Sequence, residues 1–152
     1  MQTTTPAAPA ADLWMRTWAV FCARVILGLI FGMAGWHKTF VMTPAGHAAA
    51  YFTGPYADSW IPYWMLFAAG VTVPVVELVA GWMVVAGFRV RESLIALGLV
   101  LILVTYGHLL AEFLFNFNGH VIPRLALLVF VSMVPRHVDR LSVDAWLAAR
   151  RG

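Results

Sequence analysis

The segment from Trp18 to Lys38 constrains the fold more than any other part of the chain. It is an apolar run of membrane-spanning length that carries a charge inside it, at Arg24, and another at its end. The residues that follow Arg24 on one helical face, at steps of four and three, are Gly28, Phe31, Gly35 and Lys38. A charged side chain that faces lipid hydrocarbon costs roughly 2.5–3.5 kcal/mol. We therefore expect this narrow, glycine-lined face to pack against other helices.

The composition argues against a water-soluble fold. Of the 152 residues, 62% are hydrophobic and only 11% are charged, whereas soluble domains average about 25% charged residues. The formal net charge of +3 comes from basic residues in short segments between apolar runs. This pattern favours anionic lipid head groups over nucleic acid as the partner. Cys22 is the only cysteine, which excludes an intrachain disulfide.

The apolar runs predict an all-α fold, a membrane-spanning four-helix bundle. The predicted spans cover residues 18–38, 63–87, 93–115 and 119–134, within a membrane domain of residues 13–135. The fourth span is only just long enough to cross a bilayer. Residues 1–12 are expected to form a disordered tail, and residues 136–152 an amphipathic cytoplasmic tail that rests on the membrane surface.

The arginines predict the orientation of the bundle. Those on one side of the predicted spans are Arg16, Arg89, Arg91, Arg136, Arg140, Arg150 and Arg151. Only Lys38 and the nearby Arg124 fall on the other side. Because cytoplasmic loops carry an excess of Lys and Arg, both termini are predicted to be cytoplasmic.

The second span places a carboxylate near the bilayer centre. One face of this span carries Gly70, Pro74, Glu77 and Gly81. Pro74 is expected to kink the helix and to free a backbone carbonyl for another partner. Arg24 and Glu77 lie about 9 and 15 Å from the cytoplasmic ends of their spans, so we predict that they form an ion pair. Such a pair either fixes helix register or lines a path for substrate, ions or protons.

A second polar cluster is predicted at the outer ends of the spans. His108 and Glu112 are one helical turn apart in the third span. A histidine beside a carboxylate near water exchanges protons at neutral pH, as quinone chemistry requires. The basic or histidine residues expected to join them are Lys38, Arg124, His37 and His120.

Two other uses of these histidines have weaker support. One histidine on each of two helices, His37 and His108, is a weak signal for haem b. A metal site built from His108, Glu112 and His120 lacks dense ligand spacing, so no metal is predicted. The candidate proton-exchanging groups are Glu77, His108 and Glu112, and the candidate substrate-binding groups are Arg24, Lys38, Arg124 and His37.

Two segments resemble the DoxX-like family of small four-helix membrane proteins. They are ARVILGLIFGMAGWHKTF in the first span and VPVVELVAGWMVVAGFRVRESLIALGL across the second and into the third. The family opens with a pattern of arginine, glycines and a terminal lysine, which is similar here to the set Arg24, Gly28, Gly35 and Lys38. Its later pattern of glutamate and glycines is similar to the set Glu77, Gly81 and Gly87. The resemblance covers residues 20–100 and implies a multi-pass protein of the bacterial inner membrane. It also implies an oxidoreductase subunit, although the segment HLLAEFLFNFNGHVIPR departs from the pattern.

Three functions follow as hypotheses. The first is a membrane subunit of a respiratory-type oxidoreductase that contacts quinone or anchors a catalytic partner. The second is a structural or assembly subunit without its own chemistry, and the third is a small proton or solute carrier. The expected partners are the lipid bilayer and other membrane or peripheral subunits. A homo-oligomer is an alternative, because the Gly28 and Gly32 spacing suits helix contacts within the chain or between copies. Whether the chain is itself an enzyme is left open.

Overall fold

The computed structural model describes residues 10–112 and 114–151, and every regular element in them is helical. Helix α1 spans Ala10–Trp36 and continues as a π-helical turn over His37–Val41. The short helix α2, Pro44–Ala48, continues as a second π-helical turn over Ala49–Thr53. The remaining helices are α3 (Tyr63–Ala86), α4 (Val90–Ala111), α5 (Val121–Met133) and α6 (Val143–Ala149).

Three of these helices confirm the predicted membrane character. The segments Ala11–Val41, Tyr63–Ala86 and Val90–Ala111 are long and apolar enough to cross a bilayer. Helix α5 is also apolar but has only 13 residues. Residues 10–12 of the predicted tail belong to α1, and residues 1–9 of it lie outside the described part of the chain. The third span ends at Ala111 rather than near residue 115, and Glu112 already has an extended backbone.

The four longest helices pack as a ring. Helix α1 contacts α3 and α5, and α4 contacts the same two helices. The side chains between them form an apolar core that includes Leu27, Phe31, Val84, Leu97 and Val121. The opposite faces are covered with exposed apolar side chains, among them Leu29, Val79, Ile95, Leu99, Ile102 and Phe130. Exposed apolar rows of this length suit a lipid environment.

Glycines bring α1 and α3 into backbone contact. A Cβ atom built on Gly28 would lie 2.7 Å from the Gly81 carbonyl, and one on Gly81 would lie 2.6 Å from the Cα of Gly32. A Cβ on Gly35 would meet the backbone of Leu78. We call this contact the α1–α3 seam, formed by the three α1 glycines against residues 77–85. The seam confirms that the glycine face of α1 packs against another helix. Both helices belong to the same chain.

The C-terminal segment is fastened to the ends of α1, α3 and α4. The Thr17 hydroxyl donates to the Val138 carbonyl over 2.9 Å. The Asp144 carboxylate accepts from the backbone N–H groups of Arg89, at 2.9 Å, and Val90, at 3.1 Å, and so caps the start of α4. Residues 138–144 of the predicted tail therefore pack against the ends of these helices. We call this end of the molecule, where Arg24 also lies, the arginine end.

Candidate functional site

Arg24 is fully buried at the arginine end. Its Nη1 donates to the carbonyls of Val84, at 2.6 Å, and Val85, at 2.7 Å. These carbonyls belong to the last turn of α3. The Val84 carbonyl also accepts from the N–H group of the C-cap residue Gly87, over 3.1 Å. Nη2 donates to the Leu141 carbonyl over 2.7 Å. A cation at a helix C-terminus is also favoured by the helix dipole, so Arg24 fastens α1 to α3 and to the C-terminal segment.

The anionic partner of Arg24 is Asp139. Arg24 Nε lies 3.3 Å from a carboxylate oxygen of Asp139, as an ionic contact without hydrogen-bond geometry. Burial raises the pKa of the Asp139 carboxyl, and the Arg24 guanidinium opposes that rise. Asp139 therefore supplements the three hydrogen bonds that Arg24 donates to backbone carbonyls.

Glu77 pairs with Lys38, so the predicted pair of Arg24 with Glu77 is wrong. The Lys38 ammonium lies 2.6 Å from Glu77 Oε2, and the side chains are 25% and 6% exposed respectively. The register of the α1–α3 seam explains the change of partner. Arg24 lies level with Val84, seven residues from Glu77 along α3. That separation is about 10 Å along the helix axis, which is beyond the reach of the Arg24 side chain from its own position.

A further buried polar residue, His47, was not predicted from the sequence. The ring is buried, with 3% of the residue exposed. Its Nδ1 donates to the Gly70 carbonyl over 2.7 Å. That carbonyl is free because the residue four positions later is Pro74, which has no N–H to donate. The prediction that Pro74 frees a carbonyl is confirmed, and its new partner comes from the short helix α2. The signal was present in the sequence as an unassigned histidine in the polar connection.

Lys38 and Glu77 form an ion pair, and both act electrostatically on His47, which is bonded to Gly70 two turns away along α3. We call Lys38, Glu77 and His47 the lysine site. Burial lowers the pKa of His47, the Gly70 hydrogen bond raises it, Lys38 lowers it further and Glu77 raises it, with a net lowering. The Nδ1 hydrogen bond leaves Nε2 of the neutral ring as an acceptor. The site therefore holds a cation, a carboxylate and a neutral imidazole in a largely apolar setting.

Two local features distinguish the backbone beside the lysine site. Lys38 lies in the π-helical turn that ends α1, and such turns occur often at functional sites. The next residue, Thr39, has a buried hydroxyl oxygen without a hydrogen-bond partner among the described residues. A buried hydroxyl without a partner is a polar group that still requires a hydrogen-bond partner.

The outer cluster predicted around His108 and Glu112 is not assembled as expected. Lys38 is engaged by Glu77. Glu112 is exposed just beyond α4, and the His108 ring stacks on Phe115 with a centroid separation of 4.1 Å. Arg124 donates to the carbonyl of His120 over 3.0 Å, and its guanidinium lies 5.7 Å from the centroid of the Phe31 ring.

The remaining sequence candidates make no larger constellation in the described structure. His37 and His120 are exposed. No group of three or more His, Cys, Asp or Glu side chains in residues 10–112 and 114–151 is arranged to hold a metal ion. Of the predicted site residues, the structure brings together Glu77 and Lys38, and it adds His47.

The pH dependence of stability tests the His47 environment. Because the pKa of His47 is lower in the folded protein than its usual 6.5, the unfolded chain takes up the proton first as the pH falls. The free energy of unfolding should therefore decrease as the pH drops below about 6.5. His47→Gln keeps a donor for the Gly70 carbonyl and should remove part of this decrease. Thermal unfolding of the wild type and of His47→Gln in detergent, at about pH 7.5 and about pH 5.5, measures this loss of stability. An identical loss in the wild type and the variant would contradict the assignment.

Comparison with known proteins gives no relative for this chain: no protein-family model, no curated protein and no solved structure matches it.

Proposed function

We propose that the chain is an integral membrane protein in which α1, α3, α4 and α5 form a membrane-spanning four-helix bundle. The ring of helix contacts and the exposed apolar faces support this proposal. The arginine end collects Arg16, Arg89, Arg91 and Arg140, which favours a cytoplasmic position for that end and for both termini. The resemblance to DoxX-like proteins supports the bacterial inner membrane as the location.

The proposed role is that of a small membrane subunit of a respiratory-type oxidoreductase that binds a quinone head group at the lysine site. The observation that carries this proposal is the Lys38–Glu77 ion pair at 2.6 Å, whose lysine is 25% exposed while its glutamate is buried. An ammonium group donates hydrogen bonds to a quinone carbonyl oxygen, and a carboxylate or imidazole beside it exchanges protons.

The chemistry assigns separate tasks to the subunit and to its partner. Reduction of a quinone to a quinol takes up two electrons and two protons. A soluble dehydrogenase subunit would supply the electrons. Lys38 would orient the carbonyl oxygen, while Glu77 would exchange protons at that oxygen. His108 and Glu112 remain a second proposed proton-exchanging pair, closer to the aqueous surface.

Quinone binding by the purified chain tests the site. Titration of the protein in mild detergent with ubiquinone-1, followed by tryptophan fluorescence, should show saturable binding. Lys38→Met should weaken binding by about tenfold or more, because a hydrogen bond to a charged group contributes roughly 1.5–3 kcal/mol. Glu77→Gln, which preserves the side-chain shape and an acceptor for Lys38, should bind within about threefold of the wild type.

The control variant for this experiment is His108→Ala. Its effect should be small if the quinone lies at the lysine site. Weakened binding in His108→Ala with unchanged binding in Lys38→Met would move the site to the outer end of α4. Absence of saturable binding in the folded wild type would refute the quinone proposal.

A structural or assembly subunit is the second candidate, and the state of Arg24 favours it. All the hydrogen bonds of this buried cation go to backbone carbonyls within the chain, so Arg24 has a packing role and is not open to a substrate. Under this candidate, Glu77→Gln lowers the abundance and the activity of the complex in proportion. Loss of activity at full abundance would argue against it.

The packing disfavours the third candidate, a carrier. The face that runs from Arg24 to Lys38 is occupied by the α1–α3 seam, where the two backbones are in contact. A path along that face requires α1 and α3 to separate.

A further inference from the structure

A shallow, open groove of about 510 Å³ lies at the arginine end, between the start of α1 and the C-terminal segment. Its apolar walls include Trp18 and Phe21 from α1, Ala86 from the end of α3 and Trp146 from α6. Trp18 is 42% exposed and Trp146 is 52% exposed. Tryptophan is typical of the membrane–water interface, where its ring meets both acyl chains and head groups.

The mouth of the groove is cationic. Arg140 lines it, is exposed, and forms no ion pair with any residue in the described part of the chain. The Arg150 guanidinium lies 3.7 Å from the centroid of the Trp146 ring, which is a cation–π arrangement. Arg140 therefore lines the groove itself, and Arg150 lies against Trp146, one of the groove residues.

The neighbouring carboxylates are already engaged. Asp139 faces the buried Arg24 guanidinium, and Asp144 accepts from the backbone at the start of α4. Neither carboxylate forms an ion pair with Arg140 or Arg150 in the described part of the chain. An apolar groove lined by an exposed arginine that forms no ion pair with the described residues is complementary to a molecule with an acyl chain and an anionic head.

We propose that this groove binds one anionic phospholipid, with the phosphate at Arg140 and an acyl chain between Trp18 and Trp146. The inference rests on the membrane insertion proposed above and is independent of the quinone role. The bound lipid would join α1 to the C-terminal segment at the point where Arg24 holds the two together from inside.

Native mass spectrometry of the full chain tests the proposal. The protein is released from nanodiscs that contain phosphatidylcholine with a minor fraction of phosphatidylglycerol, and the retained phosphatidylglycerol is counted. Arg140→Gln should reduce the affinity of the protein for phosphatidylglycerol about fivefold, because one basic residue near an anionic surface strengthens binding by about that factor. The matched control is Arg136→Gln, an exposed arginine of the same end that does not line the groove.

A second variant tests the acyl-chain contact at unchanged charge. Trp146→Ala should also reduce the retained phosphatidylglycerol, while thermal unfolding confirms that the variant is folded. Equal losses in Arg140→Gln and Arg136→Gln would overturn the proposal in favour of diffuse surface attraction. Retention of phosphatidylcholine as strong as that of phosphatidylglycerol by the wild type would overturn it as well. Ubiquinone-1 binding should be unchanged in Arg140→Gln. The lipid proposal and the quinone proposal can therefore be refuted independently of each other.

Discussion

Replacement of Arg24 by Met is expected to lower the free energy of unfolding by about 3–5 kcal/mol, which is the usual cost of removing one member of a buried charge network. The variant fills a similar volume but removes the Arg24 donor from the carbonyls of Val85 and Leu141, and it leaves Val84 only the Gly87 N–H group as a donor. It also leaves the Asp139 carboxylate without a cation. Unfolding in mixed detergent and SDS micelles, followed by tryptophan fluorescence, gives the measurement.

Two further variants show whether the loss comes from these contacts. Arg16→Met removes an exposed arginine of the same helix and end, and it should change the free energy of unfolding by less than about 0.5 kcal/mol. Arg24→Lys keeps the charge but lacks the planar fork that reaches several carbonyls, so its stability should be intermediate. Equal stability of Arg24→Met and Arg16→Met would show that Arg24 does not hold the three segments together.

Replacement of Gly35 by Leu is expected to destabilise the protein by about 3 kcal/mol or more, at or above the upper end of typical overpacking costs. A side chain at this position would overlap the backbone of Leu78 and Glu77. Because backbone atoms cannot rotate away as a side chain does, α1 and α3 would have to separate. The separation would also lengthen the Lys38–Glu77 contact. The same unfolding experiment in mixed micelles measures the loss.

Gly98→Ala is the matched control for the seam. Gly98 lies within α4, and a Cβ there would meet only the Leu128 Cδ1 atom, at 3.9 Å. This is ordinary contact, so the higher helix propensity of Ala should stabilise the variant by up to about 1 kcal/mol. If Gly35→Leu were as stable as Gly98→Ala, the close approach of α1 and α3 would be wrong.

The faces of the helices could be predicted from the sequence because helical periodicity is a local property. Arg24, Gly28, Phe31 and Gly35 are all buried on one side of α1, as the spacing indicates. The corresponding face of α3 is likewise buried at Gly70, Pro74, Glu77 and Gly81. Glycine marks the seam since only a residue without Cβ allows the observed backbone contact.

The choice of ionic partners could not be predicted in the same way, because it depends on the register between helices. Estimates of depth from span ends placed Arg24 and Glu77 within reach of each other. The seam instead sets Gly35 against Leu78, so Lys38 is the cation nearest Glu77. Asp139 was also missed, since it lies in a segment that the pattern of apolar runs assigns to a surface tail.

The role of His47 also could not be predicted from the sequence. Its partner is a backbone carbonyl of α3 that Pro74 releases, and nothing in the local pattern of α2 points to that atom. The sequence indicated that an acceptor would be free, whereas the identity of the donor depends on how the connection between α1 and α3 folds back. A buried histidine in a polar connection is therefore informative only once a free carbonyl is placed beside it.

The central claim is that the two cations of α1 have separate partners, with Lys38 and not Arg24 paired to Glu77. The most direct test is a pair of double-mutant cycles on the free energy of unfolding, built from Lys38→Met, Arg24→Met and Glu77→Leu. We expect a coupling energy of about 1–3 kcal/mol between Lys38 and Glu77, and less than about 0.5 kcal/mol between Arg24 and Glu77. Strong coupling of Arg24 to Glu77 with none between Lys38 and Glu77 would contradict the register of α1 against α3 and the lysine site that depends on it.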